Sequence, residues 1–410
     1  MNRLVLVGNG FDLAHGLKTS YKDFIIWYLV KCFGKRSYLP STYENKLLRI
    51  EFNDFNSFVS VVTAHKPGIY HSRFTTEDLT YFITNHFKER TIKEILNIYE
   101  KDIPLFITSD SDNFSTSDYN GSEPFKVRIL SIFLRRLIIN CQDCNWVDIE
   151  NEYFDQLKLC KYTGDFDMEK VKQLNSDFAY IKKELEEYLA FQQEKVNIMP
   201  KLLTAMGSKF DIEDFEPVMG YEHARLELGY DKTLKPEITH KLYFLNFNYT
   251  DNVQPYLNAL NSTRTDFSNI EINYIHGQLN KPDNPIIFGF GDEHDKQYLE
   301  FEENRNNELF EHIKSYQYLH TPNYRNLLKF LNSGRYQIFV MGHSCGLSDR
   351  TMFKEIFEHE NCKAIRLFHY NGDFHDKVIN VSKHFSNKGH MRKLIVNYNS
   401  SDTFPQAEEG

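Results

Sequence analysis

Residues 3–12 read RLVLVGNGFD, a short Val/Leu run followed by Gly-Asn-Gly-Phe-Asp. An unbroken apolar run of this length, ended by glycine, predicts a strand buried on both faces. Just downstream, Ser20-Tyr21-Lys22-Asp23 has the form of a capping box. It opens an apolar-periodic helix through Phe24, Ile25, Tyr28 and Leu29. A glycine turn between strand and helix lets backbone approach a ligand, and the helix N-terminus offers N–H groups to a phosphate. A third glycine in dinucleotide spacing would fall at 13, where Leu13 stands. A plain strand-to-helix turn is therefore the alternative at this point.

Composition narrows the class. The chain has 410 residues, 41% of them hydrophobic, with 34 Phe, 25 Tyr and 2 Trp, enough to build a sizeable core. The formal charge is −9, so no general basic field favours a nucleic-acid backbone. No apolar run approaches the ~20 residues that span a bilayer. The run at 4–8 is also too short for a secretory signal, so a cytoplasmic protein without membrane contact is expected. Six cysteines include a single CxxC pair, Cys141 and Cys144, with no second pair near it, which predicts reduced thiols and no zinc site.

The α/β texture is split along the chain. Candidate strands after the first are 241–247, 271–275, 285–289, 336–341, 364–369 and 394–398, with helices at 251–260, 321–332 and 349–358. Between them, residues 35–235 read as a mostly helical insertion with one candidate strand at 104–108. Its Ser/Asp/Asn-rich stretch 109–122 reads as a mobile loop, and 167–197 as a long, partly exposed helix. Trp146 and Glu150, one turn apart on a predicted helix, place either a polar group at the cleft edge or an ordinary core pair. The expectation is a Rossmann-like, largely parallel sheet flanked by helices, built from 1–34 and 236–410, with the insertion as a subdomain.

Four further motifs follow predicted strands, where open α/β sheets bind ligands. Asn246-Phe247-Asn248-Tyr249-Thr250-Asp251 offers amides and a carboxylate to ribose hydroxyls or water, or simply caps the next helix. His276-Gly277 sets an imidazole where a general base would stand, with its ring expected to face the crevice. Gly342-His343-Ser344-Cys345-Gly346 matches the nucleophile elbow of α/β-hydrolases. Only 66 residues follow Ser344 (410 − 344), which leaves a triad cramped even with His369, His375, His384 and His390 available. A phosphate- or ribose-contacting turn, with Asp349 close behind, is the alternative. The run Phe288–Asp295 (FGFGDEHD) reads as an acidic loop in preference to a metal site.

Taken in order, VGNGFDLAHGLKTSYKDF (7–24), WVDIENEY (146–153), LNFNYTDN (245–252), IHG (275–277), IIFGFGDE (286–293) and VMGHSCGLSD (340–349) resemble the AbiH family of bacterial phage abortive-infection proteins. A more distant similarity is to sirtuin-like NAD-consuming domains, on Gly8/Gly10, Asn248, His276 and Gly342/Ser344 in that order. That resemblance implies NAD as substrate, with Asn248 and His276 catalytic at the nicotinamide ribose. It implies a nucleotide held by Gly8, Asn9, Gly10, Phe11, Asp12, Asn246, Asp251, Gly342, His343, Ser344 and Asp349. Two departures stand out. Asp12 occupies a position where sirtuins carry Ser, and Thr250 follows Asn-Tyr where they carry Asp. The paired-cysteine zinc module of deacylating sirtuins is absent, which argues against deacylation. Three functions follow as expectations: an NAD glycohydrolase serving phage defence, a non-catalytic nucleotide sensor, and a serine hydrolase using Ser344. A nucleotide and a second copy of the chain are the expected partners, with an unidentified phage component as trigger.

Overall fold

The computed structural model describes residues 1–34, 42–52, 76–89, 125–140, 146–162, 164–193, 196–230, 240–263 and 265–407. The predicted strand at 104–108, the loop at 109–122 and the Cys141/Cys144 pair lie outside the described residues. By contacts the chain forms two compact units, one of residues 1–19 with 189–410 and one of residues 20–188.

The first unit is built on a five-stranded parallel sheet. The described strands, in chain order, are β1 (Asn2–Val7), β2 (Thr42–Glu44), β3 (Leu48–Phe52), β4 (Phe125–Ile129), β5 (Lys161–Tyr162), β6 (Asp165–Phe166), β7 (His240–Asn246), β8 (Phe267–Tyr274), β9 (Tyr336–Met341) and β10 (Cys362–Leu367). The sheet order is β10-β9-β1-β7-β8. β1 pairs in parallel with β7 (Val5 opposite Phe244) and with β9 (Val5 opposite Phe339). Counted from the N-terminus, the strands run 3-2-1-4-5, the doubly wound order. The chain leaves β1 in one direction for β7 and β8, then crosses back over β1 to β9. The topological switch point therefore lies between β1 and β9, and the segments after them are residues 8–12, where the short helix Asn9–Ala14 starts directly after Gly8, and 342–349.

β1 forms because every one of its six residues is buried. Its alternate sides feed two cores, Leu4 and Leu6 with Tyr243, Leu245, Ile338 and Phe353, and Val5 and Val7 with Phe244, Tyr256, Phe339 and Phe404. The one charge in the strand, Arg3, is held by Met206 O (2.9 Å), Ser208 O (2.7 Å) and Gln337 Oε1 (3.1 Å), with its guanidinium 4.2 Å from the Phe339 ring. Burial lowers its pKa to about 9, with the neighbouring Arg366 adding to the fall.

Two expected strands are not strands. Residues 285–289 form no strand ladder, and 394–398 contribute only an isolated bridge, Ile365 to Ile395. Both are apolar runs that bury side chains, and burial alone does not supply a pairing edge.

In the second unit, Ser20 does cap the helix Tyr21–Gly34, accepting from Asp23 N at 3.1 Å. The long helix predicted at 167–197 spans Met168–Gln192. Sequence reading missed an antiparallel sheet, β2-β3-β4, and the hairpin β5-β6. LRIEF and FKVRI alternate apolar and charged residues at period 2, but each run is only five residues long. Tyr153 and Phe178, with ring centroids 4.4 Å apart, centre the aromatic packing here, and Glu150 is buried on the helix Trp146–Leu159.

Candidate functional site

The glycine turn after β1 and the turn after β9 are packed backbone to backbone. Gly8 N donates to Met341 O (3.2 Å) and Gly10 N to Gly342 O (2.8 Å). Gly342 sits at φ +75°, and a Cβ there would lie 2.2 Å from Phe11 N. A Cβ on Gly10 would lie 2.7 Å from Gly342 O. The glycines are thus required by the approach of one turn to the other. Phe11 N is also spent, on Gly8 O (2.8 Å). Sequence reading offered these amides to a phosphate, and three of them already have protein acceptors. The reason lies in the parallel pairing of β1 and β9, which brings both turns out at the same edge.

The β7 turn locks onto the same place. Asn248 Nδ2 donates to Gly8 O (3.0 Å), Asn248 N donates to Asn246 Oδ1 (3.1 Å), and Asn246 Nδ2 donates to Thr250 O (3.2 Å). Asp12, 2% exposed, accepts from the Thr250 hydroxyl at Oδ2 (2.6 Å), while Oδ1 makes no hydrogen bond of ordinary geometry. Burial raises the Asp12 carboxyl to about 6, against the pull of Thr250, Asn252 and Asn248. Phe11 turns inward, its ring 5.3 Å from Tyr256. Asn9 is half-buried and donates to Thr19 O (2.9 Å), and Asp251 Oδ1 accepts from Gln278 Nε2 (2.9 Å).

His276 lies two residues past the end of β8 and is 5% exposed. Its ring stacks on Tyr318 and meets Phe247 edge-on (centroids 6.1 and 5.1 Å). The expectation of a ring free to face a crevice is corrected here, because Phe247 and Tyr318 enclose it. Nε2 lies 3.1 Å from Asp349 Oδ1 and 3.0 Å from the Tyr318 hydroxyl. The carboxylate only accepts, so Nε2 carries a proton and donates it to Asp349. The same Asp349 oxygen accepts from Lys314 Nζ (2.9 Å) and the Tyr318 hydroxyl (3.2 Å). Burial pushes the Asp349 carboxyl up, but the Lys314 ammonium and then His276 hold it well below its usual range. Lys314 and Tyr318 belong to no motif in the sequence, and nothing local marks them.

His343 packs against Phe247 and Phe353, and its Nδ1 accepts from Cys345 N (2.9 Å). Burial pushes it down to about 3, so it is neutral. Ser344 is half-buried. His384 Nε2 donates to Cys345 O (2.8 Å) and His369 Nε2 to Asn399 O (3.0 Å), so two of the four histidines available for a triad with Ser344 are engaged by backbone carbonyls. In the acidic loop, Asp292 pairs with Arg350 (3.3 Å), and a Cβ on Gly291 would lie 2.6 Å from Ser348 O.

Polar side chains from the ends of β1, β7, β8 and β9 thus gather around the switch point. The sequence matches the family described as Bacteriophage abortive infection AbiH over residues 4–371. The chain belongs to the AbiH family. Its role is in abortive infection of bacteriophage, an antiviral defence. No curated protein matches this AbiH sequence. Among its described residues, no helix is long and apolar enough to cross a membrane.

Proposed function

We propose that this AbiH protein acts in defence as a nucleotide-directed effector that hydrolyses the nicotinamide N-glycosidic bond of NAD at the switch point. The observation that carries the reading is the buried His276–Asp349 pair, 3.1 Å apart. An imidazole whose tautomer is held by a carboxylate is the arrangement of a general base with its orienting group. In this reaction nicotinamide leaves with the electron pair of the C1′–N bond. Water supplies the hydroxyl at C1′, and its proton passes to Nδ1 of His276. Asp349 fixes the ring through Nε2, and Lys314 keeps Asp349 ionised. Asn248 holds the glycine turn through Gly8 O and so positions the ribose site. The order of the motifs, similar to that in sirtuin-like NAD-consuming domains, supports the same chemistry.

The burial of His276 favours a second reading, a sensor that binds a nucleotide without cleaving it. Incubating purified protein with NAD and quantifying free nicotinamide decides between them. Release that is lost in Asp349→Asn supports the hydrolase. Binding of NAD without release supports the sensor, and neither binding nor release removes the nucleotide reading.

A further inference from the structure

A polar cavity lies on one face of the sheet at the edge strand β8. Its volume is about 580 Å³, within the range of small-molecule sites. Lys241 and Tyr243 of β7 and Glu271 and Asn273 of β8 line it, with Asn323 and Lys329 from the helix Asn323–Leu331. Side chains two residues apart on a strand share a face, which is why these pairs meet there. Phe330 of the helix stacks on Tyr243 (centroids 4.4 Å, planes 20° apart) and closes the floor.

Asn273 is 5% exposed. Its Nδ2 donates to the Tyr243 hydroxyl (2.8 Å) and to Asn323 O (2.7 Å). The amide cannot be turned over without aiming its oxygen at Asn323 O. Oδ1 is therefore a buried acceptor, and it has no hydrogen-bond partner. Leaving such an atom unpaired is costly, and a bound molecule that supplies an O–H or N–H donor removes the cost. Three of the surrounding amides are already committed. Asn323 Nδ2 donates to Asn284 Oδ1 (2.8 Å), Asn284 Nδ2 to Gln278 Oε1 (3.3 Å), and Gln278 Nε2 to Asp251 Oδ1 (2.9 Å). The charge on the walls is uneven. Among the described residues the ammonium groups of Lys241 and Lys329 have no carboxylate partner, whereas Glu271, the one acid in the lining, already accepts from Asn269.

We propose that this cavity binds a small phosphorylated pentose, free or within a mononucleotide, independently of the switch-point site. A sugar hydroxyl donates to Asn273 Oδ1 and the phosphate sits between Lys241 and Lys329. A neutral sugar leaves both ammonium groups unused, and a bare anion leaves Oδ1 unpaired. The chain of amides from Asn323 to Asp251 then joins this cavity to the turn after β7.

Calorimetric titration with ribose 5-phosphate, AMP and inorganic phosphate tests the proposal, with thermal unfolding as a check that each variant is folded. Ribose 5-phosphate or AMP should bind more tightly than inorganic phosphate, and the tighter of the two identifies the source. Lys241→Glu and Lys329→Glu should each weaken that binding at least 10-fold without changing the melting temperature. Asn273→Leu should abolish it, and if that variant does not fold, the lysine variants carry the test. Absence of binding, equal binding of inorganic phosphate, or binding that persists in both lysine variants overturns the proposal. In the last case, loss of AMP binding in Asn248→Ala would assign that ligand to the switch point, and the two sites would be told apart.

Discussion

Replacing Asp12 by Asn removes a buried ionisable group from the glycine turn and leaves a side chain of the same shape. The Thr250 hydroxyl, 2.6 Å from Oδ2, can still donate to the new amide oxygen. In the native chain, burial raises the Asp12 carboxyl from 3.8 to about 6. A rise of that size corresponds to about 3 kcal/mol between the protonated and ionised forms. The folded chain holds this proton more tightly than the unfolded chain. The stabilisation is therefore complete below pH 3.8 and is lost as pH rises through about 6. Above that, the ionised carboxylate costs the fold about 3 kcal/mol, a net figure that already includes the pull of Thr250, Asn252 and Asn248. Asp12→Asn should therefore be more stable than the native protein at pH 7.5 by about 3 kcal/mol. At pH 4.5, already above the unfolded value of 3.8, the difference should shrink to about 1 kcal/mol. Urea unfolding of both proteins at both pH values measures the difference directly. A variant that is less stable by the same amount at both pH values would refute the reasoning, because it would make Asp12 an ordinary hydrogen-bonding residue with no buried charge.

His276→Ala should lose any nicotinamide release and also lose about 1–3 kcal/mol of stability, since it opens a space between Phe247 and Tyr318 and removes a partner of Asp349. Full activity in that variant, read beside its melting temperature, would remove His276 from the mechanism. Gly342→Ala forces a Cβ to within 2.2 Å of Phe11 N at φ +75° and should yield insoluble protein or one that melts many degrees lower; native-like melting would contradict the close approach of the two turns. Ser344→Ala should leave stability and phage protection unchanged, and the native protein should not label with a fluorophosphonate; labelling at Ser344 would revive the hydrolase reading.

The strands of the central sheet were legible where burial and periodicity coincide. β1 and β9 are unbroken apolar runs, and β9 occupies the predicted residues 336–341. The same signal misled at 285–289 and 394–398, because an apolar run reports burial and carries no information about which edge remains to pair. The alternating strands β3 and β4 went unread because five residues of charged alternation also suit a helix surface or a loop. Within the candidate site, Gly8, Asn248, His276 and Asp349 stood out because each closes a strand or a turn. Lys314 and Tyr318 did not, since nothing near them differs from an ordinary helical segment.

By itself the sequence determined a buried first strand with a glycine turn, an α/β class, and the order of motifs that marks the AbiH family. Each of these is local, set by which side chains can be buried over a few residues and which positions tolerate a left-handed backbone. Tertiary structure alone decided that Gly10 meets Gly342, that Asn248 reaches Gly8, and that Asp349 is shared by His276 and Lys314, 73 and 35 residues away. Those partners are chosen by the 3-2-1-4-5 strand order, which brings distant turns to one edge of the sheet. Once they are there, desolvation compels each buried polar atom to find its partner from another strand.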